Sequence, residues 1–157
     1  MTTEISESAV YVEVRQFLYD WFKAIQTDDR GWIESHLASD FSDWLVPTGK
    51  PLPRKTFIDI QIGMTEFTPE LFELKVLETG GFVSALMKMT VREVFPPSEE
   101  QTPELRAALS HGDLQELLHG ELLDPDSGEP VVVNSIFRRK ADGELEVVHH
   151  MLVGPAA

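Results

Sequence analysis

The sequence predicts an α+β fold: a cone-shaped, strongly bent antiparallel sheet with three N-terminal helices enclosing a cavity. Three observations carry this. Apolar residues recur at helical spacing over residues 9–27 and again, in shorter stretches, up to residue 63. From Glu70 onward most of the chain alternates between apolar and polar residues, as strands with one buried face do. Thr79-Gly80-Gly81 and Ala141-Asp142-Gly143 supply the tight turns that join such strands into hairpins.

Residues 1–8 read as a frayed, polar and acidic tail without the basic and apolar stretches of a signal peptide. A single domain is expected over 9–157, with an insertion at about 96–115. The first helix, Ala9 to Thr27, gathers Val10, Val14, Phe17, Leu18, Trp21 and Ile25 on one face, against Glu13, Arg15, Gln16, Asp20 and Lys23 on the other. Asp28-Asp29-Arg30-Gly31 is a turn in which either Asp can cap a second helix of about 31–37, with Trp32, Ile33 and Leu37 inward. A first strand over 42–47 sets Trp44 and Val46 on one face and Asp43 and Leu45 on the other. Thr48-Gly49-Lys50 turns, and Pro53 opens a third helix of roughly 53–63 with Phe57, Ile58 and Ile62 inward.

Strand two, Glu70 to Glu78, alternates Phe72, Leu74 and Val76 against Glu73 and Lys75. Strand three, about 82–95, sets Val83, Ala85, Met87, Met89 and Val91 on one side. The inserted segment carries Thr102-Pro103-Glu104, which reads as N-cap, first helical position and acidic first turn of a short helix ending near His111-Gly112. We read this insertion as a flap. Further strands are expected at 117–123, 130–139 and 144–153.

A net charge of −14 over 157 residues repels phosphate backbones and anionic lipid, so neither nucleic acid nor membrane is expected as a partner. The absence of cysteine removes disulfides, thiolate catalysis and cysteine-held metals. No apolar run approaches the roughly 18–20 residues of a spanning helix. A cytoplasmic protein is the expectation.

The histidines are His36, His111, His119, His149 and His150. His149 shares strand parity with Leu145, Val147 and Met151, which points it into the cavity as a candidate general base and sends His150 outward. No histidine pair has helical or strand metal-ligand spacing, so neither a metal nor a cofactor is expected. Trp21, Trp44, Phe57, Phe137, Met87, Met89 and Met151 are the apolar side chains from which core and pocket lining would be drawn, with Trp44 and Met89 foremost for ligand contact. Asn134 and Ser135 are adjacent on strand five, and alternation turns one of them inward, where a ligand carbonyl, a backbone group or water would meet it.

Three segments carry a family resemblance. They are Phe22-Lys23-Ala24-Ile25-Gln26-Thr27-Asp28-Asp29 running into His36-Leu37-Ala38-Ser39-Asp40-Phe41; the glycine turn Thr48-Gly49-Lys50-Pro51-Leu52-Pro53 with Arg54-Lys55-Thr56-Phe57; and Phe137-Arg138-Arg139-Lys140-Ala141-Asp142-Gly143 followed by Leu145-Glu146-Val147-Val148-His149-His150. In this order and spacing the chain resembles the nuclear transport factor 2-like superfamily, of cystatin-like fold, and in particular its SnoaL-like and ketosteroid isomerase-like branches. The resemblance implies a cone around a mostly apolar pocket, and homodimers paired through the outer sheet face.

The catalytic residues of the known enzymes are not matched. Ketosteroid isomerases place a carboxylate base just before a Pro-x-Gly turn; Val46 stands there, before Pro47-Thr48-Gly49. Their oxyanion-binding tyrosine falls near Phe22, which has no hydroxyl. The Asp–His dyad of scytalone dehydratase falls near Gln26, with Asp28 and Asp29 just beyond, and strand three holds no histidine. The expectation is therefore a cavity protein binding a small apolar or aromatic molecule, with Trp21, Trp44, Phe57, Met87, Met89, Asn134 and Met151 as ligand contacts. One alternative is an isomerase or dehydratase with His149 as base and Asp28 or Asp40 orienting it. The other is a non-catalytic dimerisation domain whose cone is filled by its own side chains.

Overall fold

The computed structural model describes residues 8–45, 50–110 and 129–155. Helix α1, Ala9–Gln26, begins where the Ser8 hydroxyl accepts a hydrogen bond from the Tyr11 amide at 3.3 Å. Its apolar face is buried as the spacing requires: Val14, Phe17, Leu18, Trp21 and Ile25, joined by Phe22 and Ala24. Asp28 adopts φ 53° to turn the chain, and Asp29 then caps α2, Arg30–His36, accepting from the Trp32 amide at 3.0 Å.

Strand β1, Leu37–Leu45, starts straight from the end of α2 rather than at Ser42. Lys50–Leu52 is a short strand, β2, paired with the end of β1 where only a turn was expected. Helix α3 spans Arg54–Ile62, with Pro53 as its N-cap residue. Strands β3, Glu66–Thr79, and β4, Phe82–Val94, form a long hairpin. A single 3-10 turn at Ser98–Glu100 leads to α4, Pro103–Leu109, where the Thr102 hydroxyl accepts from the Leu105 amide at 3.1 Å. Strands β5, Val131–Arg139, and β6, Leu145–Pro155, close the chain. The strand expected at 117–123, together with His111 and His119, lies outside the described residues.

The sheet order is β2-β1-β6-β5-β4-β3. Neighbours are antiparallel except β1 and β6, which run parallel. A parallel pair needs a long connection, and the chain between Leu45 and Leu145 supplies it. The core fills the space between the inner face of this curled sheet and the helices. Phe17 of α1 meets Phe137 of β5 edge to face at 5.1 Å, with Phe137 wholly buried. Burying one such ring contributes roughly 1.5–3 kcal/mol.

Two polar devices fix the helices. The Arg54 guanidinium donates to the carbonyls of Glu34 at 2.9 Å, Leu37 at 3.3 Å and Ala38 at 3.0 Å, tying α3 to the junction of α2 and β1. The buried Asp59 carboxylate pairs with Lys55 at 2.6 Å and with Arg30 at 3.1 Å, joining α3 to α2. Helix α4 packs against α3 through Leu105 and Ala108. A Cβ on Gly63 would lie 2.5 Å from a Leu105 methyl and 3.0 Å from the Asp59 carbonyl oxygen, so a larger residue there would displace the buried Leu105 side chain.

Besides a register shift in β1 between Leu37 and Ser42, bulges in β3 and β6 decide which of their side chains face inward. In β3, Leu71 pairs with Met89 and Glu73 with Lys88, leaving Phe72 as the extra residue. Phe72, expected inward, is therefore 52% exposed, and Leu71 takes the inner position. In β6, Val147 pairs with Phe137 and His149 with Ile136, leaving Val148 over; Leu152 pairs with Val133 and Gly154 with Val132, leaving Val153 over. An extra residue in a strand of period two exchanges the faces of everything beyond it.

Candidate functional site

Helices α1 and α3 and the inner face of the sheet enclose a cavity of about 170 Å³. Leu18, Trp21, Phe22 and Ile25 face it from α1, Phe57 and Ile60 from α3, and Met87, Met89, Val91, Val131, Val133 and Leu152 from the sheet. Leu109, the last residue of α4, also reaches it. For scale, an apolar cavity of ~150 Å³ accepts a benzene ring.

Among the described residues, four side chains with polar groups beyond the Trp21 indole reach this lining: Asp43, Gln61, Glu93 and His150. The Gln61 carbonyl accepts from the Trp21 indole N–H at 3.0 Å, which satisfies both and fixes the indole plane. The His150 imidazole lies between Trp21 and Phe57, with ring centroids 5.4 and 5.5 Å away. Its Nδ1 is 2.8 Å from the hydroxyl of fully buried Ser135. It keeps some accessible surface because it borders the cavity, yet protein surrounds it. Burial, with a smaller contribution from neighbouring His149, lowers its pKa to about 4, so the ring is neutral at neutral pH.

Asp43 is the polar group that the packing does not account for. It is 4% exposed, and its Oδ1 has no hydrogen-bond partner. Desolvation, reinforced by the charge of Glu93, raises its pKa well above the ordinary aspartate range. Strand β1 places it in register with His150 of β6. A carboxyl whose burial favours the protonated form and a neutral imidazole thus stand on neighbouring strands in an apolar chamber, which is a pairing suited to proton transfer or to binding a polar group on a ligand.

Of the expected site residues, Trp21, Phe57, Met87 and Met89 line the cavity. His149 does not. The bulge at Val148 turns it to the outer face, where its Nδ1 lies 3.2 Å from the Ser42 hydroxyl, and His150 takes the inner place. Met151 is displaced in the same way, and Leu152 lines the cavity in its stead. Asn134 faces outward, donating to Ser84 Oγ and the Ala85 carbonyl, both at 3.1 Å; Ser135 is the inward member of that pair. Asp28 is exposed in the turn after α1. Asp40 is also exposed, bonded to Arg138 at 3.0 Å, and that bond holds its pKa below the usual carboxylate range. Neither lines the cavity with His150. The Trp44 side chain lies outside the described residues; its backbone pairs with Met151 and Pro51.

The sequence reading missed Asp43 and His150. The signal for Asp43 was its parity with Phe41, which is 5% exposed and plainly core. For His150 nothing in Val147-Val148 marks a bulge. Among the described residues no group of three or more His, Asp or Glu is placed to hold a metal ion, and no helix is long and apolar enough to cross a membrane.

No family model and no curated protein matches the chain. Solved structures do. An NTF2-like protein from Cytophaga hutchinsonii matches with a TM-score of 0.56 at 13% identity, over 89% of this chain and 97% of that one. ActVI-ORFA from Streptomyces coelicolor matches with a TM-score of 0.62 at 13% identity, over 94% and 98%. A proposed dehydratase of the NTF2-like family from Streptomyces avermitilis matches with a TM-score of 0.60 at 16% identity, over 92% and 95%. The chain thus has the nuclear transport factor 2-like fold, the α+β cone its sequence resembles. At such identities the likeness carries the fold and leaves the chemistry to the site.

Proposed function

We propose that the protein binds a small, largely apolar molecule of about one or two rings in the cone and reads its polar group with Asp43. The observation that carries this is the Asp43 carboxyl, buried in an apolar cavity with one oxygen unsatisfied. Leaving a buried polar atom unpaired costs roughly 1–3 kcal/mol, and a ligand donor or acceptor removes that cost. Trp21, Phe57, Met87 and Met89 supply the apolar contact, and His150 supplies a second polar edge. The size of the cavity favours this reading over a cone filled by its own side chains.

The test is native mass spectrometry and Trp21 fluorescence with benzene-sized and bicyclic aromatic compounds. Binding that is lost in Met89→Trp, which fills the chamber, supports the reading. Unchanged binding in that variant places the ligand elsewhere.

A second reading is favoured by the register of Asp43 with His150. The pair is equipped to move a proton on the bound molecule, as an isomerase or dehydratase does, with Asp43 as acid and base and His150 as its neighbour. A carboxyl of raised pKa is the stronger base once ionised. Deuterium uptake beside the carbonyl of phenylacetone in heavy water, present in the wild type and absent in Asp43→Asn, would be required to keep it.

Pairing of two copies is proposed for the outer sheet face, where Leu77, Phe82 and Leu86 are exposed. Sedimentation of Leu86→Lys as a monomer, against a dimeric wild type, is the expected outcome.

A further inference from the structure

We propose that Ser135 is a positioning residue: its hydroxyl holds the His150 ring with the proton on Nε2, so that His150 and Gln61 form a two-donor site for a neutral carbonyl or ether oxygen of the ligand. The inference deepens the cavity-binding reading above and rests on it for its ligand.

Ser135 sits in the middle of β5, in register with Ala85 of β4 and His150 of β6, and is fully buried. It does not itself line the cavity. Among the described residues its hydroxyl meets one polar partner, the Nδ1 of His150 at 2.8 Å. Two arrangements fit that contact. If Nδ1–H donates to Oγ, the hydroxyl hydrogen is buried with no acceptor. If the hydroxyl donates to Nδ1, the hydrogen at the contact is used. The second arrangement is favoured, because a buried donor left unmade keeps its full desolvation cost. A neutral imidazole that accepts at Nδ1 carries its hydrogen on Nε2. The ring is packed between Trp21 and Phe57, and burial lowers its pKa to about 4, which keeps it neutral.

Nδ1 is bonded across the sheet to β5, so the far edge of the ring, which carries Nε2–H, is left to border the cavity. The Gln61 amide is oriented by the same logic. An indole N–H only donates, so the amide oxygen faces Trp21 at 3.0 Å and the NH2 is the end left over. The Trp21 indole joins the two groups, bonded to Gln61 and 5.4 Å from the His150 ring centroid. A ligand acceptor can use both donors, whereas a ligand donor can use neither and is left to the carboxyls of the lining. Among the described residues no lysine or arginine lines the cavity, so an anionic acceptor would be buried without a countercharge. A neutral oxygen on an apolar body is the group that fits.

The tautomer is read in the free protein, by long-range proton–nitrogen correlation NMR at neutral pH on protein labelled with nitrogen-15 at histidine. The expected result for His150 is a protonated Nε2 and a bare Nδ1. In Ser135→Ala the two nitrogen resonances should draw together as the ring samples both tautomers, and Ser135→Thr, which keeps the hydroxyl, should retain the wild-type pattern. The ligand side is tested by calorimetric titration with acetophenone and with α-methylstyrene, which has the same shape with CH2 in place of the carbonyl oxygen. Acetophenone should bind the wild type about tenfold tighter than α-methylstyrene, and this preference should fall to about threefold or less in Ser135→Ala while α-methylstyrene affinity holds. A proton on Nδ1 in the wild type would overturn the assignment irrespective of binding. A protonated Nε2 with equal affinity for the two probes would overturn the two-donor site and leave the apolar cavity standing. Failure of both probes to bind would remove the cavity reading, and the ligand assignment with it.

Discussion

Asp43 and His150 stand in register across the parallel pair of β1 and β6, and both side chains line one apolar cavity. Burial acts on them in opposite directions: it raises the pKa of the carboxyl and lowers that of the imidazole, disfavouring charge on both.

His150 should contribute to acid sensitivity. Its folded pKa of about 4 lies below the unfolded value of 6.5, so the unfolded chain binds the extra proton first. The wild type should lose stability relative to His150→Gln as pH falls from 6.5 through 4, by about 3 kcal/mol in all. Above pH 6.5 the difference should be flat. Urea unfolding of both proteins across this range checks it; Asp43, Glu93 and His149 are common to the pair and largely cancel.

The sign for Asp43 is the reverse. Its folded pKa is raised, so the folded state holds a proton that the unfolded chain releases, and stability is lost as pH rises from 3.8 through the folded value. Asp43→Asn should therefore be more stable than the wild type at neutral and alkaline pH, by roughly 1–3 kcal/mol. The two proteins should converge in acid. A variant less stable than wild type at every pH would show that the carboxylate has a partner.

Face assignments in β6 can be read by size. Leu152→Trp should block the cavity and abolish aromatic binding, whereas Met151→Trp should leave it intact, because the bulges put only Leu152 inside. The reverse outcome would restore the simple alternation.

Arg54 should matter for stability alone. Arg54→Met keeps the apolar stem but strips the donors from the Glu34, Leu37 and Ala38 carbonyls. A loss of about 2 kcal/mol in chemical unfolding is expected, with ligand affinity in the folded protein unchanged.

The helices were legible because their signals are local. The face of α1 follows from the spacing of Val14, Phe17, Leu18, Trp21 and Ile25, and the start of α4 from Thr102-Pro103. Strand β4 was legible because it is unbulged, and Val83, Ala85, Met87 and Met89 alternate inward without interruption. The site was less so. Bulges at Phe72, Val148 and Val153 are settled by pairing with neighbouring strands, and each reverses the parity on which an inward assignment depends. His149, Met151 and Phe72 were all placed by parity that crosses a bulge. Asp43 was hidden for another reason: a charged residue in a strand is ordinarily solvent-facing, and only its shared parity with Phe41 argued otherwise.

The most direct test of the account is a carbon-13 NMR titration of the Asp43 carboxyl, followed with and without a saturating aromatic ligand. The account predicts a midpoint well above the ordinary aspartate range in the free protein and a resonance that shifts on ligand addition, while that of Asp40 does not. An Asp43 carboxyl that titrates normally and ignores every ligand that binds would contradict it.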